Sequence, residues 1–95
     1  MTPLSDEQIT DALTELPGWA YENDSIVKTY TFGDFREAVS FIVRLAFHAE
    51  DQDHHPALNN VYNRVDVTLN THDAGDVVTQ KDIDLAKTIE SFAWV

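Results

Sequence analysis

Apolar positions recur first with a helical period and then with a strand period, and the two alternate along the chain. Ile9, Ala12, Leu13 and Leu16 lie three or four residues apart, the spacing that gathers side chains on one side of a helix. Ahead of them Ser5 and Gln8 stand where a capping box needs them, and Leu4 and Ile9 where a hydrophobic staple would form. Asp6 and Glu7 suit the positive end of the helix dipole, and Pro17-Gly18 is expected to stop the helix. Trp19 and Tyr21 then alternate with small or polar neighbours, and Ile26 to Phe32 is rich in β-branched and aromatic residues. Residues 18–32 therefore read as a hairpin turning at Asn23-Asp24. On its second strand Ile26, Lys28, Tyr30 and Phe32 share one face, with Val27, Thr29 and Thr31 on the other.

Helical spacing returns after Asp34, a capping residue with Glu37 at the reciprocal position. Phe35, Ala38, Val39, Ile42, Leu45, Ala46 and Ala49 are expected to cover a sheet. Phe41, Val43 and Phe47 widen the apolar surface, either as a broad core face or as a subunit contact. The ring of Pro56 disfavours helical geometry at His55, so Glu50 falls in the last turn and His54-His55 at the helix exit. His48, on the polar side with Arg44, reads as a partner of the helix dipole. Val61 and Tyr62 suggest a short strand with a turn at Asn63-Arg64, and Val65, Val67, Leu69 and Thr71 alternate as a half-buried strand. His72 continues that strand's polar parity or lies in the loop that follows. Thr79 starts a last helix with Ile83, Leu85, Ala86, Ile89 and Phe92 inside. The order α-β-β-α-β-β-α predicts an α+β fold, a four-stranded antiparallel sheet with three helices on one face.

Composition narrows the possibilities. Ninety-five residues with 43% hydrophobic side chains suit one folded domain, 1–95, whose small core would gain from self-association. Seventeen acidic residues against six basic ones would repel a phosphate backbone, so no nucleic-acid partner is expected. The start Met1-Thr2-Pro3-Leu4 lacks the basic and apolar regions of a signal peptide, and no apolar run would span a bilayer. No membrane partner and a cytoplasmic location are expected. With no cysteine, neither a thiolate nucleophile nor a thiolate metal site is available.

Chemistry concentrates between Glu50 and Asp82, which holds three of the four histidines, His54, His55 and His72. Imidazole is the side chain that exchanges protons near neutrality. The His-x3-His spacing of a helical zinc site is absent from the adjacent pair His54-His55, so no metal is expected. Asp82 closes a capping box with Thr79; its carboxylate can serve the helix terminus, a pocket rim, or both. Tyr62 is a strand aromatic or a site residue, and Pro56 a loop stiffener or a site residue.

Taken together, Glu50-x3-His54-His55-Pro56-x5-Tyr62-x9-His72-x9-Asp82 resembles the active-site motif of the pterin-4a-carbinolamine dehydratases. Asn60-Val61-Tyr62-Asn63-Arg64-Val65, Thr71-His72-Asp73-Ala74-Gly75 and Asp82-Ile83-Asp84-Leu85-Ala86 are similar to further blocks of that family. Ala57-Leu58 stand where the family commonly has Glu-Trp. The resemblance implies dehydration of a 4a-hydroxytetrahydropterin to the quinonoid dihydropterin, without a cofactor. It implies His54, His55 and His72 as the catalytic set, with Glu50, Pro56, Tyr62 and Asp82 binding or orienting. It also implies a homodimer or homotetramer, with Phe41 and Phe47 as candidate helical contacts, and a link to aromatic amino-acid hydroxylases. The alternative is a pterin- or protein-binding module without catalysis, as in dimerisation cofactors or molybdopterin-linked relatives.

Overall fold

The computed structural model describes residues 2–93. Met1, read above as part of the chain's start, and Trp94 and Val95 at the end of the expected 1–95 domain lie outside the described residues. Helices α1 (Asp6–Leu13), α2 (Phe35–Asp51) and α3 (Gln80–Phe92) alternate with strands β1 (Ala20–Glu22), β2 (Ser25–Thr31), β3 (Ala57–Val61) and β4 (Arg64–Leu69). The strands form one antiparallel sheet in the order β1-β2-β4-β3. No helix among the described residues is long and apolar enough to cross a membrane.

Local signals place the elements. Ser5 and Gln8 form their capping box. After Leu13 the helix tightens into bonds three residues long, Glu15 N–H to Ala12 O and Leu16 N–H to Leu13 O, so the regular part of α1 ends before Pro17 is reached. Asn23 and Asp24 both adopt positive φ, 52° and 60°, joining β1 to β2 through a two-residue turn that matches strand twist. Asp34 accepts from the Glu37 N–H at 2.9 Å. The Glu37 carboxylate reaches one residue further back than a capping box requires, to the Gly33 N–H at 2.8 Å.

One face of the sheet, carrying Ile26, Tyr30, Val65, Val67 and Leu69, packs with the inner stripes of all three helices into a single core. The α2 stripe is Ala38, Phe41, Leu45 and Ala49, which corrects two expectations. Phe41 is fully buried (0% exposed) and is no subunit contact, whereas Phe35, Val39, Val43 and Phe47 form an exposed row, and Ala46 is exposed beside them. A helix that is apolar over half its circumference leaves the buried side ambiguous, and the side that packs on the core is the line with Phe41 and Leu45 at its centre and an alanine at each end. His48 is likewise not on an outer polar side; its ring stacks on Phe92 at 4.7 Å between centroids. On α3, Glu90 accepts from Lys28 Nζ at 2.8 Å and from the Tyr30 hydroxyl, which ties the helix to β2.

The second hairpin also departs from expectation. Strand β3 runs from Ala57 to Val61 and β4 starts at Arg64, so the turn is Tyr62-Asn63, one residue earlier than read from the sequence. Tyr62 adopts φ 52° and is exposed. The turn is held by Asn60 Nδ2 donating to Arg64 O at 2.9 Å and Asn63 Nδ2 donating to Phe32 O at 2.9 Å. Side-chain amides thus replace the glycine such a turn would ordinarily use.

Candidate active site

Three chain segments converge beyond one end of the sheet. The first is the exit of α2. Asp53 takes the left-handed conformation, φ 49°, while its N–H bonds Glu50 O at 3.1 Å and the His54 N–H bonds Ala49 O at 3.0 Å. This is a Schellman closure with aspartate in the place glycine favours, and it turns His54 inward, to 7% exposure. The second segment leaves β4 through Asn70 and Thr71, pairs with Val77, and makes a short 3-10 turn over His72–Ala74. The third is the N-terminus of α3, where Thr79 and Asp82 form a capping box.

Asp82 joins all three. Its carboxylate is fully buried (0% exposed), an arrangement that is stable only when its oxygens are bonded. Oδ1 accepts from His54 Nε2–H at 2.5 Å. Oδ2 accepts from the Thr71 hydroxyl at 2.8 Å and the Thr79 N–H at 2.9 Å. The Thr71 hydroxyl, having given its proton to Asp82, accepts from the Thr79 hydroxyl at 2.7 Å; Thr79 Oγ1 in turn accepts from the Lys81 N–H at 3.2 Å. The sequence left open whether Asp82 caps a helix or serves a site, and its two oxygens divide the tasks.

The outer histidines have their own carboxylates. His55 Nε2–H donates to Glu50 Oε1 at 2.5 Å. His72 Nδ1–H donates to Asp76 Oδ1 at 2.9 Å. That bond, followed by the charges of Asp76 and Asp73, raises the His72 pKa above the ordinary imidazole value and favours the imidazolium.

His54, His55 and His72 line one cleft of about 310 Å³, together with Asp53, Asn70, Thr71, Asp73 and Lys81. Its size is at the low end for small-molecule sites. A larger hollow of about 560 Å³ on the open sheet face, lined by residues such as Ala20, Val27, Thr29 and Thr68, contains no histidine, so of the two it is the smaller cleft that gathers the imidazoles. Of the other residues singled out from the sequence, Glu50 and Asp82 bond cleft histidines, and Pro56 separates His55 from β3. Tyr62 does not line the cleft. The Ala57–Thr68 pair stands at the cleft end of the hairpin and Val61–Arg64 at the other, and at about 3.3 Å per residue this puts Tyr62 more than roughly 13 Å along the strand. Among the described residues no group of three or more histidine or acidic side chains is arranged to hold a metal.

Sequence reading missed Asp53, Asn70, Thr71, Asp73 and Lys81, which line the cleft, and Asp76, which bonds His72. Asp76 alone had a visible signal, standing four residues after His72, a spacing at which side chains meet across a tight turn or helix. Replacing Asp82 by alanine leaves the His54 ring and the Thr79 N–H without their buried acceptor. Asp82→Ala is expected to lower stability by about 3–5 kcal/mol, read by urea unfolding; a variant as stable as the parent would show that the network holds nothing together.

The comparisons with known proteins point to one family. The model of the family described as pterin 4 alpha carbinolamine dehydratase matches residues 2–92. A protein of Opitutus terrae named as a pterin-4-alpha-carbinolamine dehydratase is 55% identical over 94 residues, 99% of this chain and 97% of its own. One of the same name from Rhizorhabdus wittichii is 47% identical over 96% of this chain and 95% of its own. Among solved structures, a transcriptional coactivator/pterin dehydratase from Brucella melitensis superposes with a TM-score of 0.92 at 38% identity, covering 97% of this chain and 99% of that one. A pterin dehydratase-like protein, described as a RuBisCO assembly factor in the alpha-carboxysome, shares the fold at a TM-score of 0.65 and 21% identity, over 80% and 87% of the two chains. With a family model spanning nearly its whole length and a hydro-lyase name on relatives at about half identity, the chain belongs to the pterin 4 alpha carbinolamine dehydratase family.

Proposed function

We propose that this protein removes water from a 4a-hydroxytetrahydropterin by histidine acid–base catalysis, returning the quinonoid dihydropterin to a hydroxylase cycle. The observation that carries the reading is the convergence of three imidazoles on one cleft, each with a carboxylate on one ring nitrogen and the other nitrogen left for a substrate. A carbinolamine suits such a site. The N5 lone pair can form the C4a=N5 double bond while the C4a–O bond breaks, so neither a covalent nucleophile nor a Lewis acid is called for. What remains is one proton delivered to the leaving oxygen and one removed from N5, a service that positioned groups supply at about 10²–10⁴-fold.

The bonds already made support a division of labour. His54 gives Nε2–H to Asp82, so the neutral ring has its lone pair on Nδ1 and can take the N5 proton. His72, held toward the imidazolium by its acidic neighbours, can protonate the hydroxyl as it leaves as water. His55, oriented by Glu50, holds the pterin, with Pro56 stiffening its approach to β3. No cofactor is needed. Tyr62 has no part in the site of a single chain in this reading and contributes only if a second chain brings it there.

Self-association is part of the same proposal. The exposed row Phe35, Val39, Val43 and Phe47 on α2 and the exposed Leu58 and Val61 on the edge strand β3 leave apolar surface and unpaired backbone that a dimer or a pair of dimers would cover. A single domain and a cytoplasmic location belong to the same proposal. The apolar α2 row is also what a binding module without catalysis would present, so the two readings part on activity.

His72→Ala is expected to lower turnover of chemically generated 4a-hydroxytetrahydropterin at least tenfold in stopped flow, with the urea midpoint unchanged. An unaltered rate would remove His72 from the mechanism, and a parent protein that does not accelerate dehydration would favour the binding module. Sedimentation velocity at micromolar concentration is expected to give a dimer or tetramer that Phe47→Glu weakens; a parent protein that stays monomeric would contradict the assembly.

A further inference from the structure

In two of the three carboxylate–histidine pairs both members belong to the motif, whereas in the third only His72 does and its partner Asp76 lies outside it. We propose that Asp76 is a positioning residue for the dehydration, its carboxylate taking the His72 Nδ1–H so that Nε2 is presented to the cleft as the proton donor. The inference rests on the dehydratase reading above and extends it to a residue outside the motif.

The contact is built by the backbone of the loop. Thr71 N–H bonds Val77 O at 2.9 Å, while the N–H groups of Ala74 and Asp76 both bond Thr71 O at 3.1 Å, and the Gly75 N–H bonds His72 O at 3.0 Å. Gly75 and Asp76 then follow in left-handed conformations, φ 92° and 61°. Two successive left-handed residues reverse the chain and bring the Asp76 side chain back to the ring four residues earlier. Aspartate and asparagine are the side chains that tolerate this backbone best after glycine, and of these two only aspartate adds a charge. The histidine and aspartate side chains are 91% and 63% exposed, so the pair contributes little to folding. Its consequence falls on the ring. An otherwise free imidazole loses the choice of which nitrogen carries the proton, and the nitrogen facing the substrate is set.

The charged surroundings act in the same direction on balance. Asp73 on the same turn and Asp53 from the α2 exit favour the imidazolium, while Lys81 from α3 and any protonated His54 or His55 oppose it; all of them line the cleft with His72. Asp76 is the one bonded to the ring. In the reaction the Nε2–H proton passes to the 4a-hydroxyl oxygen, the C4a–O bond breaks with its electron pair leaving as water, the N5 lone pair closes the C4a=N5 bond, and the N5 proton goes to His54.

The test uses the full-length protein and the variant Asp76→Asn, which keeps the left-handed turn and removes the charge. Heteronuclear NMR of the imidazole nitrogens is expected to show the His72 titration displaced to lower pH by about half a unit or more, with a smaller share of the Nδ1–H tautomer. The alkaline limb of kcat against pH is expected to move to lower pH by the same amount, because loss of the carboxylate lowers the imidazolium fraction at each alkaline pH. KM should change less than kcat, and Asp76→Glu should restore the limb. In a His72→Ala background, adding Asp76→Asn should change nothing. An unshifted His72 titration, a uniform rate loss at all pH values, or a further loss in the His72→Ala background would overturn the role of Asp76 while leaving an active parent enzyme. A parent protein without dehydratase activity would overturn the underlying reading, and the positioning role with it.

Discussion

A single buried carboxylate, that of Asp82, holds the site in register with the fold. Burying an ion is costly unless its oxygens find donors, and the donors here come from three separate parts of the chain: the His54 ring at the exit of α2, the Thr71 hydroxyl beyond β4, and the Thr79 N–H at the start of α3. None of these segments can shift without leaving the carboxylate short of a partner. The helix terminus and the cleft are thereby one structure, and the same bond that satisfies Asp82 decides which nitrogen of His54 faces outward.

The other two histidines are held differently. His55 and His72 use exposed carboxylates, Glu50 and Asp76, whose pairs sit in water and are screened. The site therefore combines a rigid inner imidazole with two outer ones whose orientation is set locally. A chain with a net charge of −11 can supply a carboxylate to each ring with little positive charge nearby. That is one consequence of its acidity which bears on chemistry rather than on partners.

Much of this was legible because the relevant signals are local. Ser5, Asp34 and Thr79 cap the helices they were expected to cap, Asn23-Asp24 makes the hairpin turn, and the alternation of Val65, Val67 and Leu69 faces the core. Where the reading failed, the deciding physics lay in packing against distant elements or in left-handed backbone that the residue type at that position does not announce. The inner side of α2 depended on packing against a core distant in sequence, so Phe41 and Phe35 exchanged roles. The β3–β4 turn moved because Asn60 and Asn63 stabilise backbone that an aromatic such as Tyr62 would otherwise avoid. Asp76 was overlooked because a loop of two left-handed residues, rather than a helix, brings it back to His72.

A crystal structure with a bound, unreactive dihydropterin tests the central claim most directly. The bicyclic ring is predicted to lie in the cleft with Nδ1 of His54 and Nε2 of His72 both within hydrogen-bond reach of it, about 2.6–3.2 Å or one water away, and with the Asp82–His54 bond intact. A pterin seated on the open face of the sheet among Ala20, Val27 and Thr68, or one bound in the cleft beyond reach of both nitrogens, would contradict it.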